Sequence, residues 1–305
     1  MSADRPPGAA LPETEQANPA TAMLDRMSAL ELARAMNAED SRVAPAVARE
    51  LPHIARAIEA TTARLRAGGR LIYLGAGTSG RLGVLDASEC PSTFNSPPDL
   101  VIGCLAGGAD ALATAADEVE DSVESGQADV ARLAVTARDA LVGISASGRT
   151  PYVLGGLGAA RARGALTIGL ACNAGGPLET LCEVVIAPCV GPEVVAGSTR
   201  LKAGTAQKMV LNMLSTGVMV ALGKTYGNLM VDVRPTNAKL RQRELRIVTE
   251  ATGLDDLAAA HLLRACDDET KTAILSALAG IEPATARARL AAHQGAIRAT
   301  LDAAP

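Results

Sequence analysis

Two short stretches of this 305-residue chain combine glycine with hydroxyl side chains in a way that suits anion binding. Gly75-Ala76-Gly77-Thr78-Ser79-Gly80 follows an apolar run and fits G-x-G-x-x-G in a strand-to-helix setting. Ser145-Ala146-Ser147-Gly148-Arg149-Thr150, with Pro151 behind it, follows a second run of the same kind. The glycine pattern alone suggests a dinucleotide fold, but three features argue against one. Both variable positions before Gly80 are hydroxyl residues, which suit a terminal phosphate better than a buried pyrophosphate. The segment Cys104-Leu105-Ala106-Gly107-Gly108 lacks the acid that would hold an adenine ribose, and no hydride-transfer partner stands nearby. Backbone N–H groups at two helix starts would point at an anion, with Thr78, Ser79, Ser145, Ser147 and Thr150 adding hydroxyl donors and Gly80 and Gly148 in the same loops. One such loop is no more than helix capping predicts. Two in matched positions predict a phosphomonoester ligand.

The elements that would position these loops follow from the hydrophobic period. Short apolar runs at residues 71–74, 100–105, 140–144, 165–171 and 184–187 are each followed by Gly, Ser or Pro. Most of the gaps between them carry helix-like sequence, notably 109–137 and 151–163. Continuous apolar strands alternating with helices predict a parallel sheet covered on both faces, a three-layer αβα domain. In a flavodoxin-like 2-1-3-4-5 order the two loops flank the switch point, where ligands bind beyond the carboxyl ends of the strands.

Around that domain the pattern is helical. Residues 1–19 are polar and Pro/Ala-rich and read as a flexible N-terminal arm. Residues 20–67 hold N-terminal helices that pack on the core, with Ser28 as an N-cap and Pro52 starting or kinking the second half of 43–66. The phosphate-binding domain spans 68–223 and ends in a long helical pattern over 198–222. Residues 224–305 form a small C-terminal helical region, irregular to 237 and then helical with a break at Gly280-Ile281-Glu282-Pro283.

Composition narrows the function classes. With 29 Lys+Arg against 33 Asp+Glu, four aromatic residues and no basic block, the chain offers neither the cationic face nor the stacking rings of a nucleic-acid binder. No apolar run reaches the length needed to cross a bilayer, and the first twenty residues lack the pattern of a signal peptide, so a soluble cytoplasmic protein is expected. Six cysteines without a CxxC pair read as scattered buried thiols, and no metal site is expected.

The first loop extends into a longer signature. Gly75-Ala76-Gly77-Thr78-Ser79-Gly80-Arg81-Leu82-Gly83-Val84-Leu85-Asp86-Ala87-Ser88-Glu89-Cys90-Pro91 resembles the signature segment of the N-acetylmuramic acid 6-phosphate etherases, in the sugar-isomerase (SIS) superfamily. The likeness runs from Thr14-Glu15 and Asn18 through Gly197-Ser198-Thr199-Arg200-Leu201-Lys202-Ala203-Gly204-Thr205 and the segment from Asn228 to Leu240. It implies an SIS domain and lyase-type cleavage of the lactyl ether of N-acetylmuramic acid 6-phosphate, giving N-acetylglucosamine 6-phosphate and D-lactate in cell-wall recycling. It also implies a homodimer that uses a phosphorylated amino sugar and needs no metal or organic cofactor.

Two carboxylates carry over by motif. Glu89 matches the acid of the family's Ala-Ser-Glu-Cys-Pro element, and Glu120 the later acid of its Glu-Gly-Ala-Glu-Asp element, here Asp117-Glu118-Val119-Glu120-Asp121. The resemblance points to Glu89 as the acid that protonates lactate and Glu120 as the C2 base, which needs one ionised and one protonated carboxyl group. Ser92 replaces a proline usual in the family. Glu193, Ser198, Thr199, Arg200 and Lys202 sit where the family's later strand-to-helix connection would approach the ligand. The same fold also builds non-catalytic phosphosugar sensors and aldose–ketose phosphate isomerases, which are the competing readings.

Overall fold

The computed structural model describes residues 11–114, 117–232 and 238–303. The first ten residues of the expected arm, and residues 233–237 of the Asn228 to Leu240 likeness, lie outside the described residues. The chain divides into two compact units, one built from residues up to Ala87 with Val101–Leu214, the other from Ser88–Leu100 with Ser215 onward.

In the first unit, α1 (Ala29–Asp40), α2 (Val43–Arg49) and α3 (Leu51–Arg66) precede the sheet. The order is then β1 (Leu71–Gly75), α4 (Gly77–Phe94), β2 (Val101–Leu105), α5 (Asp117–Glu120), α6 (Val123–Arg132), β3 (Ala140–Ile144), α7 (Pro151–Ala162), β4 (Leu166–Leu170), α8 (Leu178–Leu181), β5 (Val184–Ile186) and α9 (Lys202–Ala221). All five strands pair in parallel in the order β2-β1-β3-β4-β5, as expected from their apolar runs. Every residue of β1, β3 and β4 is buried, which explains why these strands read as continuous rather than alternating hydrophobic segments.

One register sets up the chemistry. Gly75 at the end of β1 lies opposite Ile144 at the end of β3, so the two glycine–hydroxyl loops leave the sheet side by side. Helices hold that edge from both faces. Ile72, Leu74 and Leu141 pack with Val130 of α6 and with Tyr152, Val153 and Leu157 of α7. Tyr73 alternates to the opposite face, where Gly83 of α4 lies against it and its hydroxyl donates to Asp86 Oδ2 at 2.8 Å. Asn212 of α9 donates to the other Asp86 oxygen at 2.6 Å, tying both helices to the central strand.

The helix expected over 109–137 is broken into a 3-10 turn at Gly108–Leu112 and the separate α5 and α6. The cause is local: the Ser122 side chain accepts from Ser125 N–H at 3.0 Å and starts a new helix. At the other end, α9 begins at Lys202 rather than 198, because the Glu193 carboxylate takes the N–H groups of Lys202 and Ala203 at 3.0 and 2.9 Å. Pro52 stands in the first turn of α3 and Ser28 caps α1 in a reciprocal Ser28–Glu31 box.

The second unit contains α10 (Ala238–Thr252), α11 (Asp256–Ala265), α12 (Thr270–Ala279), α13 (Pro283–Ala292) and α14 (Ile297–Asp302) around a core of Val248, Ile274, Leu275 and Ile297. It has more breaks than the one expected at residues 280–283. Asp255 caps α11, and Asp267 and Asp268 both adopt left-handed backbone before α12. Asp232 accepts from Lys224 at 2.7 Å and pairs with Lys271 at 2.8 Å, anchoring the loop after α9 to α12.

Lys202 is fully buried and its ammonium pairs with Glu39 of α1. Burial works to raise the Glu39 carboxyl, but the bond and charge of Lys202 hold it below its ordinary value. Lys202→Met would leave the buried Glu39 with only the exposed Arg42 as its cation, at a cost of up to about 3–5 kcal/mol. Adding Glu39→Leu is expected to recover most of that loss. Chemical denaturation of the single and double variants checks both, and equal losses in the two would contradict the pairing.

Candidate active site

The site grows out of a place where no side chain fits. A Cβ on Gly80 would lie 2.4 Å from the carbonyl oxygen of Gly75, and one on Gly75 would lie 2.8 Å from Gly80 N. With neither present, the first turn of α4 settles against the end of β1. Its leading N–H groups, which have no partner within the helix, then face outward beyond the sheet. Gly77, at φ +51°, makes the turn into that helix.

Across the register the second loop is ordered by its own hydroxyls. Ser145 is buried and its Oγ lies 2.8 Å from Thr150 Oγ1 and 3.3 Å from Ser147 Oγ. Ser147 accepts from Arg149 N–H at 3.2 Å, and Thr150 precedes α7 at its N-terminus. Behind the loop, Asn173 donates to the Ala146 carbonyl at 2.8 Å.

Between the loops is a cavity of about 210 Å³, lined by Glu15, Ala76, Gly77, Thr78, Ser79, Glu120, Ala146, Ser147, Thr150 and Thr199. Of the residues expected to hold phosphate, Thr78, Ser79, Ser147 and Thr150 reach the wall. Ser145 lies behind them, Gly80 is used for packing, and Gly148, at φ +70°, makes the turn. Of the five candidates from the later connection, Thr199 lines the cavity. Glu193 and Lys202 are instead consumed inside the fold, one capping α9 and the other paired with Glu39, which is why both are fully buried. Ser198 is half-buried and Arg200 exposed, and neither is part of the lining.

Glu120 projects from α5 into this cavity, with one carboxylate oxygen 3.9 Å from where a Cβ on Gly77 would stand. Its neighbours divide by side: Val119 packs on the core and Glu118 is exposed outside the lining. The departure from the family's spelling therefore leaves the acid at Glu120 in place. The side chain of Asp117 lies outside the description. Glu89 is an exposed residue of α4, in the part of that helix assigned to the second unit, and is not in the lining. Ser92 donates to the Glu89 carbonyl at 3.1 Å, and the helix continues through Pro91.

Two residues near the glycine–hydroxyl loops were not anticipated. Glu15 stands on a segment fixed from below: Thr14 is fully buried, exchanges bonds with Asn173, and its carbonyl accepts from Gly197 N–H at 3.1 Å. The Glu15 carboxylate reaches within 3.0 Å of where a Cβ on Gly197 would be, so that glycine leaves it room. The other is Gln207 of α9, buried behind Ser79, which donates to Gln207 Oε1 at 3.0 Å. All six cysteines are free, four of them buried, and burial pushes the Cys172 thiol well up.

Comparison with known proteins places this geometry. The model of the glucokinase regulatory protein N-terminal SIS domain matches residues 53–161, and that of the SIS domain matches 113–217. The N-acetylmuramic acid 6-phosphate etherase of Vibrio vulnificus strain YJ016 is 54% identical over 289 residues, covering 95% of this chain and 96% of the relative. The chain belongs to the N-acetylmuramic acid 6-phosphate etherase family. The etherase of Salmonella agona is also 54% identical, covering 95% of this chain and 97% of its own length. A phosphoheptose isomerase from Francisella tularensis shares the fold, with a TM-score of 0.50 at 21% identity over 64% of this chain and all of that one.

The contact beneath the first loop is directly testable. Gly80→Ala is expected to cost about 1–3 kcal/mol of stability and to weaken binding of inorganic phosphate. Gly158→Ala in α7, where nothing stands within 4 Å of the added atom, is expected to be neutral or slightly stabilising. Denaturation and calorimetry on the two variants check the contrast.

Proposed function

We propose that the chain cleaves the D-lactyl ether of N-acetylmuramic acid 6-phosphate, releasing D-lactate and N-acetylglucosamine 6-phosphate, and that it works in the cytoplasm as a homodimer. The observation that carries the activity is identity of 54% over 95% of the chain to a protein named for it. No helix among the described residues is long and apolar enough to cross a membrane.

The chemistry explains why carboxylates are wanted. An alkyl ether resists direct hydrolysis because an alkoxide is a poor leaving group. With the sugar ring open, the C2 proton is acidified by the C1 aldehyde and the C3 lactyl oxygen lies β to it. A base takes the C2 proton while an acid protonates the departing lactate, leaving a C2–C3 double bond. Water then adds its hydroxyl at C3 and a proton returns to C2. We assign the base to Glu120, supported by its place in the cavity wall beside Thr78, Ser79, Ser147 and Thr150. We assign the acid to Glu89 from the match of its Ala-Ser-Glu-Cys-Pro element, with the same residue activating the incoming water by acid–base reversal. Phosphate held by the two loops is a remote handle whose binding energy positions C2 and C3. Glu15 is suited to accept a hydrogen bond from a sugar hydroxyl.

Purified protein is expected to release lactate from N-acetylmuramic acid 6-phosphate and to leave a hexose 6-phosphate without the lactyl group unchanged. Glu120→Gln and Glu89→Gln are each expected to lower kcat by about 10²–10⁴-fold. Binding of the substrate by wild type without lactate release would replace the enzyme by a sensor, and aldose–ketose conversion would replace it by an isomerase.

A further inference from the structure

Gln207 carries an unresolved polar problem. It is 1% exposed, its Oε1 accepts the Ser79 hydroxyl at 3.0 Å, and its Nε2 is a buried donor with no partner among the described residues. A buried donor without an acceptor is costly, so such a group invites an explanation. Ser79 has one proton to give. While that proton points at Gln207, the hydroxyl offers the cavity only lone pairs, which repel a phosphate oxygen.

A primary amide can resolve both difficulties by turning over, because its oxygen and nitrogen occupy nearly the same outline. With the amide reversed, Nε2 stands where Oε1 stood and donates to Ser79 Oγ. The Ser79 proton is then released toward the cavity, and the unmet group behind it becomes a carbonyl oxygen, which tolerates burial better than an unmet N–H. We propose that Gln207 is a positioning residue whose amide, turned so that Nε2 donates to Ser79 Oγ, frees the Ser79 proton for a phosphomonoester in the cavity. The packing suits this role: α9 abuts the loop, with Thr78 Cγ2 3.5 Å from where a Cβ on Gly204 would be. The inference rests on Ser79 as a phosphate contact, but not on the lyase chemistry.

Side chains at position 207 that cannot reverse separate the role from simple packing. Gln207→Glu, once ionised, accepts but cannot donate, so it holds the Ser79 proton inward above the pH at which the buried carboxyl ionises. It is expected to weaken inorganic phosphate binding and raise KM by about tenfold or more, with kcat changing much less. Gln207→Met has neither group, so nothing directs the Ser79 proton toward the cavity, and it is expected to raise KM by less than Gln207→Glu does, without lowering the melting temperature. Calorimetry with inorganic phosphate is run beside the lactate assay, in Ser79 and Ser79→Ala backgrounds. The account predicts that the Gln207→Glu penalty shrinks when Ser79 is absent. An undiminished penalty reduces the effect to charge and overturns the proposal, as does Ser79→Ala binding phosphate like wild type. Phosphate binding that follows this pattern without lactate release would support the role of Gln207 and reject the etherase activity.

Discussion

The close approach of Gly75 and Gly80 is the constraint from which the site follows. Any side chain at Gly80 would come within 2.4 Å of the strand's last carbonyl oxygen, far inside van der Waals contact, and lift α4 off β1. Lifted, the helix would no longer aim its free N–H groups at the space beside the second loop. The parallel register of Gly75 with Ile144 then makes two loops into one cradle, because both strands end at the same level.

The rest of the first unit holds that cradle with buried polar bonds rather than with packing alone. Asn173 joins the second loop, through Ala146, to the Thr14 segment, and Thr14 in turn joins Gly197. Glu193 fixes where α9 starts, against burial that pushes its carboxyl up and with two backbone N–H bonds opposing the rise. Lys202 and Glu39 lock that start to α1. Loops would otherwise be the most mobile parts of such a fold. Here each loop facing the cavity has a buried hydrogen bond behind it.

Sheet and loops were legible in the sequence because a strand buried on both faces has a distinctive period, and because glycine beside hydroxyls has few other uses at a strand's end. What stayed hidden were polar residues whose environment is decided by tertiary contact. Glu193 and Lys202 look like surface charge at a helix start, and nothing local says that one caps the helix and the other finds Glu39. Glu15 lies in a proline- and alanine-rich segment that reads as loose, although the Thr14-Glu15 and Asn18 spelling shared with the etherases was a usable signal. Gln207 sits among Gly, Thr, Ala and Lys, and only its contact with Ser79 marks it out. The helix breaks at Ser122, Asp255 and Asp267 depended on single capping or left-handed residues within otherwise helical sequence.

The most direct test of the account is proton exchange at C2. N-acetylmuramic acid 6-phosphate would be incubated in deuterated water with wild type and with Glu89→Ala, and both the C2 proton and lactate followed by NMR. The account predicts deuterium at C2 of the N-acetylglucosamine 6-phosphate released by wild type, and C2 exchange with little lactate release in the variant. Lactate release without deuterium at C2 would contradict elimination, and loss of exchange in Glu89→Ala would contradict Glu120 as the base.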